Sequence, residues 1–185
     1  TVIGLIRAVD EYNKPGIITT ILGFVFAVGA FALFIYANDY TIEKIDANNH
    51  SLFDDMVFWR GNGFEREPSQ ESVSEQIKKE LLNPDLFVYA VKVDGRYVGW
   101  ISCVYIAKVG KWKGHGHIYV DELWVEPSFR GNGFAKALLK KADELKDKFN
   151  ATGIRLYVNV NNPVAQNLYE TCGYVEDGRA IFMEK

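Results

Sequence analysis

Residues 119–140 read YVDELWVEPSFRGNGFAKALLK, a Val- and aromatic-rich run, then a loop with two glycines behind an arginine, then a Leu- and Lys-patterned run. No other feature constrains the fold as much, because this order demands a strand that turns at once into a helix. Physically the junction is an anion site. The first N–H groups of a helix have no partner within it, the positive end of its dipole points at the loop, and glycines let a ligand approach the backbone. The loop Arg130-Gly131-Asn132-Gly133-Phe134-Ala135 has neither the GxxxxGK[ST] pattern of nucleoside-triphosphate sites nor the GxGxxG pattern of dinucleotide sites, which disfavours both.

Around this junction the hydrophobic periodicity predicts an α/β chain with a mixed, mostly antiparallel sheet and helices on both faces. A strand is expected around Tyr40, Ile42 and Ile45. A helix over 51–60 ends at Gly61-Asn62-Gly63, and one over 69–82 opens on a capping box and stops at Asn83-Pro84. Runs 86–92 and 96–106 flank Asp94-Gly95, a strong hairpin signal. After a Gly-rich turn over 110–116 come a strand over 118–125, a helix over 133–150, a strand over 154–160, a helix over 163–172 and a last strand over 180–184.

Upstream, residues 15–38 hold no charged side chain, and about twenty apolar residues in one run are enough to cross a bilayer. Tyr36 as an interfacial aromatic, with Gly23 and Ala27 as small packing residues, favours a hydrophobic helix spanning or associating with a membrane over 17–37. The alternatives are a helix buried in an oligomer interface and foreign sequence fused upstream. A cleavable leader is not expected, since the run is longer than a signal-peptide core and Tyr36-Ala37-Asn38 is a poor cleavage site. The expected boundary leaves 1–38 as a hydrophobic segment and 39–185 as one globular domain. A net charge of -3 argues against nucleic acid as a partner. Two cysteines, Cys103 and Cys172, lack CxxC spacing, and His115 and His117 lack a third ligand, so neither a disulfide framework nor a metal site is expected.

Two motifs together carry a family resemblance. Arg130-x-x-Gly133-x-Ala135, directly after Val125-Glu126-Pro127, resembles the Q/R-x-x-G-x-G/A signature of the GCN5-related N-acetyltransferases (GNAT). Asn162-Pro163-Val164-Ala165-Gln166-Asn167-Leu168-Tyr169-Glu170-Thr171-Cys172-Gly173-Tyr174 is similar to that family's N-x-x-A-x-x-L-Y-x-x-x-G-F/Y segment. In element order the resemblance covers 39–185; residues 1–38 have no counterpart in it. It implies the GNAT acyl-CoA N-acyltransferase fold, acetyl-CoA as cosubstrate without a metal, and a cytoplasmic catalytic domain, membrane-anchored if 17–37 spans. It also implies acetyl transfer to a primary amine of a small molecule or peptide by direct attack in a ternary complex. Homodimers are common in the family. By the same resemblance, backbone groups of Leu123 and Val125, with Trp124 between them, meet the pantetheine arm. Arg130, Gly131, Asn132, Gly133, Phe134, Ala135 and Lys136 cradle the pyrophosphate, and Asn162, Asn167 and Tyr169 lie along the cofactor. Asn162 before Pro163 equally suits a helix N-cap.

Acetyl transfer from a thioester needs a neutral amine, a donor for the oxyanion and a proton for the departing thiolate. The resemblance gives the Val125 N–H as donor and Tyr169 as acid, a phenol of pKa about 10 being well matched to a thiol. Asp121 and Glu122 are the candidate bases, and as strand neighbours they are expected on opposite faces. Asp121 would then share a face with Leu123 and Val125, and it stands where spermidine/spermine acetyltransferases have a carboxylate that takes the amine proton through water. Trp59, Phe64, Trp100, Trp112 and Trp124 suit an acceptor pocket or a core, and Asp54, Asp55, Glu65 and Glu67 suit a cationic acceptor or a solvated face. The competing reading is a non-catalytic acetyl-CoA sensor or interaction module, against which stand Tyr169, the strand carboxylates and the intact glycine loop.

Overall fold

Asp94 and Gly95 set the central hairpin. They sit at φ 48° and 83°, the left-handed pair whose twist matches that of the flanking strands β2 (Leu86–Val93) and β3 (Arg96–Ile106). The computed structural model describes residues 40–65, 67, 73–181, 183 and 185. The hydrophobic segment 1–38 and its expected membrane helix lie outside the described residues. Among the described residues no helix is long and apolar enough to cross a membrane.

Strands β1 (Tyr40–Lys44), β4 (His117–Val125) and β5 (Ile154–Leu156) complete a five-stranded sheet in the order β1-β2-β3-β4-β5. β3 is antiparallel to both neighbours. β4 and β5 are parallel, with α3 (Phe134–Lys148) as the crossover such a pair requires. The sheet is therefore mixed and mostly antiparallel, as the periodicity predicts.

β3 reads as a nearly unbroken apolar run because helices cover both its faces. On one face Ala90 lies opposite Trp100, and Phe53 of α1 (His50–Asn62) meets the Trp100 ring edge-on at 5.8 Å, with Met56 buried beside it. On the other, Tyr89 lies opposite Ile101 and Phe87 opposite Cys103. There Lys141 and Lys148 of α3 place their ammonium groups 5.9 Å and 5.3 Å from the Tyr89 and Phe87 rings, above buried Leu138, Leu139, Ala142 and Leu145. Each buried leucine contributes about 1.5–3 kcal/mol.

The structure departs from the expected elements in three places. α2 (Glu75–Leu81) starts later than residue 69: Val73 and Ser74 are not helical, because the Ser74 hydroxyl accepts the Ile77 N–H as an N-cap. β5 stops at Leu156 instead of Val160. The last strand, expected over 180–184, does not form at its described positions. Ile181 and Met183 are 89% and 85% exposed there, and a β-prone segment without a neighbouring ladder has no partner for its N–H and C=O groups.

β1 is tied to the hairpin by a polar network. Tyr97 donates its hydroxyl to Glu43 Oε2 at 2.5 Å, and Lys92 Nζ pairs with Glu43 Oε1 at 3.2 Å. The Tyr97 hydrogen bond, followed by Lys92, holds the Glu43 carboxyl below its ordinary 4.5 against the opposing effect of burial. A lowered carboxyl contributes stability that is full above the unfolded value and is lost as pH falls through the folded one. Tyr97→Phe should therefore lower Tm at pH 7 by about 2–4 °C, the equivalent of about 1 kcal/mol. It should also flatten the loss of stability that the parent chain is expected to show below pH 4.5, with circular dichroism following both chains.

Candidate active site

One extra residue in β4 shapes the site. From Val125 opposite Gly99 to Glu122 opposite Ser102 the register with β3 is constant; it then slips, Cys103 facing Val120, and Asp121 is left as the added residue of a β-bulge. The expectation that Asp121 and Glu122 lie on opposite faces assumes a regular pleat, which the bulge interrupts at Asp121; both residues are exposed. The Asp121 carboxylate lies near the Tyr119 phenol, which is pushed up by burial first and by that charge second.

β5 pairs with β4 only from Ile118 to Val120, so the parallel ladder ends where the bulge begins. Beyond it the Glu126 N–H donates to the Val98 carbonyl at 2.9 Å, in the register that sets Trp124 opposite Trp100. Alternate residues of an antiparallel strand bond the same neighbour, so Leu123 and Val125 turn their N–H and C=O groups away from β3, toward the side that β5 has left. That edge can pair with an arm that carries amides. Trp124, between them, turns its backbone to β3, and its ring packs at 4.9 Å from Trp100 and 5.8 Å from Trp59 on the α1 face.

The strand then turns through Pro127–Phe129 into the glycine loop. Gly131 and Gly133 both take φ 83°, with open space where a side chain would stand. Gly133 is the N-cap of α3 and makes no side-chain cap, so the first-turn N–H groups are left for a ligand. Arg130 Nε donates to the Val125 carbonyl at 3.0 Å and Asn132 Nδ2 to the Phe129 carbonyl at 3.1 Å, bracing the loop against the strand. Phe134 is buried as the anchor of α3, Ala135 is half-buried, and Lys136 is exposed. Uncapped amides, glycines and two cations form a donor set that fits a pyrophosphate.

α4 (Pro163–Thr171) carries the second motif. Asn162 Oδ1 accepts the Ala165 N–H at 3.1 Å, so its carbonyl oxygen serves as N-cap. Gln166 Nε2 donates to the carbonyls of Asn159 and Val160, at 3.0 Å each, and fixes the chain as it leaves β5. Asn167 is exposed. Tyr169 is half-buried, burial pushes its phenol up, and its ring meets Tyr174 edge-on at 5.7 Å. His117 is buried at the start of β4, where burial first and then Arg155 and Lys108 hold its ring below the usual value.

Three contributors were not singled out from the sequence. Glu126, buried, is gripped by Arg96 Nη2 at 2.5 Å and by the Ser128 hydroxyl at 2.7 Å, which fixes the end of β4. Arg60 of α1 pairs with Glu122 Oε1 at 2.9 Å, a contact spanning 62 residues with no local signal. Gly99 did leave a signal, as an isolated glycine within an apolar strand. A Cβ there would come within 2.7 Å of the Trp124 carbonyl oxygen and 3.0 Å of Val125 Cγ2.

Comparison with known proteins bears on the family and the fold. The model described as "Acetyltransferase (GNAT) family" matches residues 49–174. An uncharacterized N-acetyltransferase of Methanocaldococcus jannaschii is 28% identical over 141 residues, 74% of this chain, which spans 61% of that relative's length. A streptothricin acetyltransferase of Escherichia coli is 30% identical over 149 residues, covering 77% of this chain and 80% of the relative. Among solved structures, an aminoglycoside acetyltransferase from an uncultured soil metagenomic sample superposes with a TM-score of 0.66 at 15% identity, over 80% of this chain and 96% of that one.

Gly99→Ala tests whether close approach of β3 to β4 sets the site. It should force the Trp124–Val125 backbone to shift, weakening coenzyme A binding by about 10-fold with a loss of about 1–3 kcal/mol in stability. Calorimetric titration and thermal melting measure the two effects; unchanged values in both would show that the site tolerates a wider spacing.

Proposed function

Since the chain belongs to the GNAT acetyltransferase family and carries an acetyl-CoA-dependent N-acetyltransferase domain, we propose that it acetylates the primary amine of a small cationic molecule by direct attack within a ternary complex. The observation that carries this reading is the backbone edge that Leu123 and Val125 turn away from β3 beyond the end of β5, next to the uncapped N-terminus of α3. Acetyl-CoA, when bound, supplies the acetyl group as an activated thioester.

The chain's own groups supply the rest. Leu123 and Val125 would hold the arm by strand-like hydrogen bonds, with the Val125 N–H donating to the acyl oxygen. The loop from Arg130 to Lys136 would hold the pyrophosphate, with Asn162 and Asn167 beside the arm. Asp121, exposed and next to this edge, would take the proton of the incoming ammonium through water. Tyr169, whose phenol burial pushes up and which carries its proton at neutral pH, would donate to the leaving sulfur. Glu122 is a weaker candidate for the base because Arg60 and the Trp100 Nε1–H both bind it. A cationic small molecule is favoured as acceptor because carboxylates and indole rings line the α1 face, and because the Escherichia coli relative is named for streptothricin. We place the domain on the cytoplasmic side, where acetyl-CoA is available.

Acetyl-CoA or coenzyme A at about a hundred times its Kd should add about 2.7 kcal/mol of stability and raise Tm by about 5–10 °C, with no shift for ATP. Gly133→Asp should abolish that shift, since the new residue is strained at φ 83° and sets a negative charge against the pyrophosphate. No shift with either form of coenzyme A in the folded parent chain would sink the reading. Tyr169→Phe should lower kcat by about 10²-fold and remove the alkaline decline, which in the parent chain lies above pH 10 because the phenol is raised. An unchanged rate across the pH range would falsify the assignment of the acid.

A further inference from the structure

A cation already sits among the aromatic and acidic groups on the α1 face of the sheet. Arg60, in the last turn of α1, pairs with Glu122, and its guanidinium carbon lies 4.9 Å from the centre of the Trp100 ring and 6.0 Å from that of Trp124. Trp100 Nε1 donates to the second Glu122 oxygen at 3.3 Å, and Trp59 closes against Trp124. A carboxylate fixed beside two indole faces is the chemistry that binds an alkylammonium group. Glu122 adjoins Leu123, whose backbone edge is offered to the cofactor arm.

Two observations separate Arg60 from a structural clamp. Its ion pair is open to water on both sides, the side chains being 40% and 46% exposed, whereas the Glu126 carboxylate gripped by Arg96 is 10% exposed. Exposed pairs hold weakly. Arg60 also stands at the end of its helix, before Gly61 and the left-handed Gly63 cap, so its long side chain can leave the aromatic faces without moving the strand.

We propose that Arg60 is a built-in competitor for the ammonium site of the acceptor: its guanidinium occupies the place that a positively charged group of the substrate takes on binding. The proposal rests on the reading of the domain as an amine acetyltransferase and names the acceptor class, an amine carrying a second cationic centre. The attacking nitrogen must be neutral and cannot itself displace Arg60, whereas a second ammonium on the same molecule can. Glu122 and the indole rings thereby select diamines and polyamines over monoamines, and Arg60 lowers their affinity by the cost of its displacement without touching the reacting atoms.

Spermidine is a suitable probe, titrated calorimetrically into the full chain saturated with coenzyme A. Arg60→Gln should bind spermidine about 5- to 10-fold more tightly than the parent, since one exposed ion pair and one cation–π contact no longer have to be broken. Arg60→Lys, which keeps the competing charge, should bind like the parent. Equal or weaker binding by Arg60→Gln overturns the proposal, as does an equal gain in Arg60→Lys, which would trace the effect to packing. The coenzyme A thermal shift of the parent reports the cofactor site separately: its absence counts against the acetyltransferase reading, and its presence with no spermidine effect counts against Arg60 alone.

Discussion

The bulge at Asp121 is the constraint on which the rest of the site depends. β4 must match β3 on one edge and β5 on the other, and an extra residue in one strand bends it and raises its twist, so both ladders cannot continue past that point. The structure keeps the β3 ladder and gives up the β5 ladder at Val120. Leu123 and Val125 are thereby left without β5 as a ladder partner, the Val125 carbonyl being taken instead by Arg130 Nε, and both carboxylates are exposed. A regular strand would have closed this edge and hidden one of the two acids.

Charge acts in two distinct ways around that strand. At its end Glu126 is buried and satisfied by Arg96 and Ser128; removing a partner would leave a desolvated charge, so the contact fixes geometry. In its middle Glu122 is paired with Arg60 in reach of water, where little is gained by the pair and little is lost in opening it. The two contacts share a chemistry and differ in burial. Burial makes one a fastening and the other an exchangeable occupant.

Much of the site was legible in the residues. Gly131 and Gly133 in the loop adopt left-handed φ, Asn162 before Pro163 caps a helix, and Asp94-Gly95 turns a hairpin, all because the signal lies within a few adjacent residues. The opposite-face reading of Asp121 and Glu122 assumed a regular pleat and could not foresee the register slip at Asp121. The packing of the Trp124 ring on the α1 face with Trp100 and Trp59 had no local signal. The strand expected over 180–184 had the right residue types and no neighbouring ladder.

The sequence alone therefore determined the junction of strand, glycine loop and helix, and most of the order of elements on either side of it. Local sterics and capping decide those features, and they need no distant partner. Only the tertiary structure decided the bulge, the parting of β4 from β5, and the meeting of Arg60 with Glu122. Each depends on pairing between segments far apart in the chain, whose register follows from the packing of α1 and α3 on the two faces of one sheet.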